Sequence, residues 1–341
     1  MDVFDDARLE DAGVLRDADE LIRPLAEAGA RLRRAVDRVE EPLSSLTADD
    51  LPRAVIAFGA EARLLRAVLE PTCPVPFVAW PRIGLPGWTG SLDTVVALGA
   101  TNPVSLAAAV EAKRRGARLI VACPPDSELA RVSASRATTL LPLSEADALS
   151  TGVVTLEALH RLGLGPAVDV PAVAQAMDDV AVDSAPGLDI AHNPAKGAAL
   201  ELADAQPLVW GGSVLAARAS RRVAEALRRA CGRVVLSADA EALAPFLHGA
   251  PRRDVFADPV EEGPVERRPG LVVVDDGWGD ELAVAEQDRL INAALAHDLL
   301  VSRLAAETGG RVQRYVTVLL KGLFAAAYLE IGLGGRRSAG N

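Results

Sequence analysis

The sequence predicts an α/β fold of two similar domains, each a parallel sheet of about five strands sandwiched by helices on both faces. Three observations carry that expectation. Short apolar runs alternate with helix-length segments along the chain, and the two halves repeat the same strand, loop and helix order. Between the halves, residues 163–195 are rich in Pro, Asp and Ala, with Pro166, Pro171, Pro186 and Pro194. A chain of 341 residues exceeds the usual single-domain size. With 50% hydrophobic and 24% charged residues it has ample material for packed cores, which excludes global disorder.

The elements follow in order. Residues 8–41 carry helical periodicity through Leu9, Val14, Leu21, Ile22, Leu25, Leu32, Val36 and Val39. Ala54–Phe58 is a short apolar run ending at Gly59, followed by a helix-like stretch from Ala60 to Leu69. Strand-like runs recur at Val75–Ala79, Thr94–Leu98, Ala117–Ala122 and Thr138–Leu141, with helices expected from about Val104 to Arg115 and Ala146 to Leu162. The alternation restarts with Pro207–Trp210, the turn Gly211-Gly212-Ser213 and a helix running through Arg229. Arg233–Ser237 and Leu271–Val274 are further strands, and two closing helices are expected at about Glu281–Thr308 and Val312–Ile331. The expected domains are 1–165, an N-terminal helix plus the first sheet, and 190–341, the second sheet with the C-terminal helices.

Charge and composition exclude several classes. The net charge of −11 opposes nucleic-acid phosphates and anionic lipid, so neither is an expected partner. Residues 1–41 hold twelve acids against seven arginines, which argues against a DNA-binding helix pair and hence against a transcription regulator. Cys73, Cys123 and Cys231 form no CxxC or CxxH pair, and the four histidines are dispersed, so neither a disulfide framework nor a metal site is expected. The acidic start of the chain lacks signal-peptide character, and the apolar stretch from Val316 is broken by Lys321 and Glu330. A soluble, cytoplasmic protein is expected. No GxxxxGK[ST] or GxGxxG occurs, so nucleotide cofactors are not expected.

The stretch Val55-Ile-Ala-Phe-Gly59, Pro76–Ala79, Leu85-Pro-Gly-Trp88, Asp93–Gly99 and Gly116–Val121 resembles the bifunctional phosphoglucose/phosphomannose isomerases, a family built of two sugar-isomerase (SIS) domains. In the second half, Asn193-Pro-Ala-Lys196, Pro207–Ser213 and the apolar helix around Lys321–Glu330 extend the resemblance over nearly the whole chain. The resemblance implies SIS domains, a homodimer, a sugar-phosphate ligand and no cofactor. Its activity would be aldose–ketose isomerisation by proton transfer between C1 and C2 of glucose 6-phosphate or mannose 6-phosphate.

Several family motifs are altered. The glycine- and serine-rich turn of the form GMGGSA is Gly59-Ala-Glu-Ala-Arg-Leu64, keeping only Gly59. The phosphate loop of the form SYSGNT is Ala97-Leu-Gly-Ala-Thr-Asn102, leaving Thr101, Asn102 and Ser105 as donors. Leu141-Pro-Leu-Ser144 carries no arginine after its proline, and no lysine follows the apolar helix. The base motif of the form RWKxQxNE matches Ala217–Glu225 only at Arg218 and Glu225. Glu225 is the residue that the resemblance nominates as base, and a solvated, ion-paired helix face is the alternative role for it. The expected position of the ring-opening histidine holds Glu241, which leaves His248 for that role. Gly211, Gly212 and Ser213 form a strand-to-helix turn suited to an anion. Two functions are therefore expected from this sequence. One is an isomerase of the family; the other is a non-catalytic SIS protein acting as a sensor or partner in hexose-phosphate metabolism.

Overall fold

The computed structural model describes residues 3–48, 50–59, 61–99, 103–144, 147–250 and 267–335. The chain forms two compact units, residues 28–174 and residues 1–27 with 175–341. The expected helix at 8–41 is a series: a 3₁₀ turn at Asp6–Leu9, α1 (Ala12–Asp17), α2 (Asp19–Ala26) and α3 (Ala28–Ser44). The expected boundaries, 1–165 and 190–341, kept this series with the first sheet. Its first part instead docks on the C-terminal helix, where Asp5 N–H donates to the Gly332 carbonyl at 2.9 Å and Arg8 Nε to that of Ile331 at 2.8 Å.

In the 28–174 unit, β1 (Val55–Phe58), α4 (Ala62–Leu69), β2 (Phe77–Ala79), β3 (Thr94–Leu98), α5 (Pro103–Arg115), β4 (Arg118–Cys123), α6 (Glu128–Ser133), β5 (Thr138–Pro142) and α7 (Ala148–Arg161) follow in order. The five strands are parallel in the order β2-β1-β3-β4-β5. Every residue of β1 and β3 is buried, as expected of strands covered on both faces. One core cluster packs Ile56, Phe58, Val95, Leu119 and Val121 against Ala108, Ala109 and Ala112 of α5. Small side chains there let the helix lie close to the sheet.

The Pro- and Asp-rich stretch is not wholly a linker. It contains α8 (Val170–Asp183), whose first turn is capped by Asp169, with Ala172 N–H donating to Asp169 Oδ1 at 3.0 Å. Pro171 falls in that first turn, where no intrahelical N–H is lost. Next come α9 (Pro194–Leu202), β6 (Gln206–Gly211), α10 (Val214–Cys231), β7 (Leu236–Ser237), α11 (Ala240–His248), β8 (Pro269–Asp275), α12 (Glu281–Ala296), β9 (Leu300–Ala305) and α13 (Arg311–Gly332). The second sheet has four parallel strands, in the order β7-β6-β8-β9.

Two expectations are corrected in this unit. The expected helix Glu281–Thr308 ends at Ala296 and is followed by the edge strand β9. His248, which none of the expected elements covers, is the last residue of α11.

Helix α13 is long and apolar enough to cross a membrane by length and composition, yet 78% of its most apolar window is buried inside the fold. It packs on α9 and α10, and Gly322 leaves room for Val223, whose methyl groups would collide with any side chain there. Lys321 interrupts its apolar surface without stranding a charge, because Nζ donates to the Ala305 carbonyl at 2.7 Å. The core below α13 is tied by Lys196, which donates to the carbonyls of Pro186 (2.8 Å) and Leu188 (2.6 Å) with its ammonium 5.5 Å from the Tyr328 ring. Burial lowers the Lys196 pKa from its ordinary value, while Glu10 and Asp189 act in the opposite direction.

Candidate functional site

Open parallel sheets bind ligands beyond the carboxyl ends of their strands, where the strand order reverses. In the second sheet β7 and β8 flank β6 on opposite sides, so the reversal lies between β6 and β8. A cleft of about 250 Å³ opens there, lined among others by Trp210, Ser213, Asp275, Asp276, Gln287 and Arg303. Its floor is the turn that joins β6 to α10. Gly211 and Gly212 are required by proximity: a Cβ on Gly211 would lie 2.5 Å from the Ala216 backbone, and one on Gly212 2.7 Å from the Trp210 ring.

Ser213 caps α10 by accepting from Ala216 N–H at 2.9 Å. Its hydroxyl donates to Asp276 Oδ2 at 2.6 Å. Asp276 is 2% exposed, and its Oδ1 accepts from Trp278 N–H at 3.2 Å. The turn expected to hold a ligand's phosphate thus already faces a carboxylate of the chain itself. A helix N-terminus attracts negative charge, and here Asp276 supplies it.

Asp275, at the end of β8, accepts from Gly277 N–H at 2.8 Å and pairs with Arg303 of β9. Burial pushes the Asp275 carboxyl up, but hydrogen bonds from Arg303, Gly277 and Gln287 and the Arg303 charge hold it below the ordinary value. Trp278 stands half-exposed beside this loop, with the guanidinium groups of Arg311 and Arg314 at 5.7 and 5.6 Å from its ring. Arg314 also donates to the Asp276 carbonyl at 3.2 Å. The lining therefore sets two carboxylates against one guanidinium. Such a surface accepts hydrogen bonds from hydroxyl groups and opposes a phosphate placed next to Ser213.

The other expected site residues are scattered. Glu225 is exposed on α10 and pairs with Arg229 at 3.1 Å, one turn along the same helix. Arg218 is buried at 9% exposure. Neither is among the residues lining the cleft. His248 ends the helix that returns from the carboxyl end of β7, so it sits at the amino ends of the parallel strands. There its Nδ1 meets the Ala244 carbonyl at 2.8 Å, and its ring lies edge-on to His297, 6.3 Å away, just before β9. The topology therefore places His248 at the opposite end of the sheet from the cleft.

In the 28–174 unit the corresponding reversal falls between β1 and β3. Gly59 follows β1 with φ +101°, and its α-carbon lies so close to the Leu98 carbonyl that a side chain would overlap it. Ser105 is fully buried and donates to that same carbonyl at 3.3 Å, so its hydroxyl closes the β3–α5 turn. Glu61, 1% exposed at the start of α4, lies against Gly152 of α7. Thr101 and Asn102 lie outside the described residues. Among the described residues no cluster of His, Cys, Asp and Glu could hold a metal ion.

Sequence reasoning missed Asp275, Asp276, Trp278 and Arg303. The first three form Asp275-Asp-Gly-Trp278, directly after the correctly placed strand Leu271–Val274. The carboxyl-end rule would have found them. Arg303 could not be found while β9 was assigned to a helix.

No family model matches the sequence, and no curated relative matches it. Among solved structures the chain is similar to a glucose-6-phosphate isomerase-like protein from Thermus thermophilus, with TM-score 0.54 and 18% identity, covering 94% of this chain and 93% of that one. It is also similar to the C-terminal domain of glucosamine-fructose-6-phosphate aminotransferase from Francisella tularensis, with TM-score 0.62 and 12% identity over 92% and 96% of the two chains. A candidate sugar-binding protein from Salmonella typhimurium aligns with TM-score 0.61 and 15% identity over 90% and 99%. At these identities the likeness is one of architecture, and the chain has the two-sheet α/β fold of SIS type that these structures share.

Proposed function

We propose that this protein binds a sugar phosphate and is a non-catalytic descendant of the phosphoglucose/phosphomannose isomerases. The observation that carries the reading is the cleft at the ends of β6, β8 and β9. Its Asp275, Gln287 and Arg303 offer acceptors and donors to the hydroxyl groups of the ligand, whose phosphate lies away from Ser213 and its two neighbouring carboxylates, while Glu225 and His248, the nominated proton carriers, do not line it. Isomerisation needs a base within hydrogen-bond reach of the C1–C2 protons. The carboxylates that do line the cleft are engaged, Asp276 with Ser213 and Asp275 with Arg303. The Asp275 carboxyl, held below its ordinary value by Arg303, is a weak base. The solved structures with sugar-phosphate names support the ligand class. The reading includes a cytoplasmic homodimer, with no nucleic acid, membrane or cofactor.

Titration of the full chain with fructose 6-phosphate, followed by tryptophan fluorescence, tests it. A saturable change that Trp278→Phe reduces and Asp275→Ala abolishes is expected. No saturable change at millimolar ligand would refute the reading.

A further inference from the structure

A second cavity, in the 28–174 unit, has the opposite charge balance. It encloses about 200 Å³ and is walled by Arg31, Arg34 and Arg38 of α3, facing Ser144 and the first turn of α7. Its lining includes the buried apolar side chains of Ala35 and Leu143. Spacings of three and four residues put the three guanidinium groups on one face of α3. Asp147, the N-cap of α7, offsets one of them: its Oδ2 lies 3.3 Å from Arg31 Nε, and its Oδ1 accepts from Ser150 N–H at 3.2 Å. Asp37 and Glu41 lie within helical reach of Arg34 and Arg38, yet among the described residues no ion pair engages either arginine.

Like charges at these spacings repel and weaken a helix by a few tenths of a kcal/mol per pair. The cost is offset when a ligand of matching charge sits between them. Among the described residues of the lining, three arginines against one aspartate leave a balance of +2. A phosphomonoester carries about −1.5 to −2 at neutral pH and presents three acceptor oxygens. Arginine forks match those oxygens two at a time. The first turn of α7 adds the buried Ser150 and Thr151, its N-terminus being already capped by Asp147. A long polyanion fits less well, because the chain as a whole carries −11.

We infer that the cavity between α3 and α7 is a binding site for a small phosphomonoester, held by Arg34 and Arg38 with Arg31 behind them. The site uses none of the residues of the β6–β8 cleft. Its ligand can be free phosphate or the phosphoryl end of a sugar phosphate, and the experiment separates the two.

The full chain is titrated at constant ionic strength with inorganic phosphate, glucose 6-phosphate and glucose, following ³¹P line broadening and thermal shift. Both phosphates are expected to bind to wild type. The paired substitution Arg34→Ala with Arg38→Ala should weaken them by about tenfold or more without changing the far-ultraviolet dichroism. Arg34→Lys with Arg38→Lys keeps charge but not the fork, and should fall between. Tighter binding of glucose 6-phosphate than of phosphate assigns the site to a sugar phosphate, and equal binding assigns it to free phosphate. Absence of phosphate binding in wild type, or binding unaltered in the alanine pair, overturns the inference. Phosphate and fructose 6-phosphate binding that both survive the alanine pair, with the fructose 6-phosphate binding lost in Asp275→Ala, overturns it while leaving the cleft reading intact. Loss in the alanine pair alone overturns the cleft reading and leaves this one.

Discussion

Asp93→Asn should weaken the 28–174 unit by about 2–3 kcal/mol. Asp93 leads into β3 and its side chain is fully buried. Arg53, leading into β1, donates to Asp93 Oδ1 at 3.0 Å and Oδ2 at 2.6 Å, and Gly90 N–H donates to Oδ2 at 2.7 Å. The pair thus staples the entries of two adjacent central strands. Asparagine keeps one acceptor and turns an N–H₂ group toward one of these donors. Losing a buried partner to a charged group costs about 3–5 kcal/mol at full burial. Arg53 is half-exposed and rehydrates, which sets the expected loss below that range.

The expected fall in Tm is about 5–10 °C for a unit of this size, read by circular dichroism at neutral pH. Burial pushes the Asp93 carboxyl up, but the Arg53 hydrogen bonds, the Gly90 N–H, the Arg53 charge and the Ala54 N–H hold it below its ordinary value. A depressed carboxyl stabilises the fold above its unfolded value of about 3.9. That contribution fades as pH falls through the folded value. The gap between wild type and Asp93→Asn should therefore close below about pH 4. A gap under about 0.5 kcal/mol at neutral pH, or one that persists undiminished in acid, would refute the reasoning.

Gly59→Ala should cost about 2–4 kcal/mol by urea unfolding, because its φ of +101° and the Leu98 carbonyl leave no place for a methyl group. Tyr328→Phe should cost about 1–2 kcal/mol by removing the buried hydrogen bond from Tyr328 to the Ser184 carbonyl, 2.6 Å long. Burial pushes the Tyr328 hydroxyl up to about 12, against a smaller opposing contact from Asn193. Its share of stability should thus be present below about pH 10 and be lost as pH rises toward 12, a loss absent in Tyr328→Phe. Glu225→Gln should change stability by no more than about 0.5 kcal/mol, since it breaks only an exposed pair with Arg229. It should also leave fructose 6-phosphate affinity unchanged; weaker binding would place Glu225 at the ligand.

The strands legible in the sequence are those buried on both faces, because their apolar runs have no competing signal. Thr94–Leu98 was placed to the residue. The unread strand, β9, alternates buried and open positions as an edge strand does, with Ser302 and Arg303 breaking its apolar run. Nothing in the sequence separates it from α12. The turn between them uses Asp298 at φ +52° instead of a glycine or proline, so helical periodicity ran on through it. Helix α11 was missed because Pro245 lies inside it, and α8 because Asp169 and Pro171 resemble a linker when they in fact start a helix.

The site was legible only in part. Gly211-Gly212-Ser213 reads as a turn at a helix N-terminus, and Gly212 and Ser213 of that turn line the cleft. What it faces was not legible, because Asp276 is distant in sequence and the pairing of β6 with β8 brings them together. Arg31, Arg34 and Arg38 belong to no motif of the periodic stretch 8–41. Their shared cavity appears only when α3 is packed against α7.

The most direct test of the central claim measures binding and turnover of fructose 6-phosphate on one preparation of the full chain, by calorimetry and by a coupled assay for glucose 6-phosphate. The account predicts saturable binding with turnover at least about 10³-fold below the ordinary enzymatic value of about 10 s⁻¹. Binding accompanied by turnover near 10 s⁻¹, or no binding at all, would contradict it.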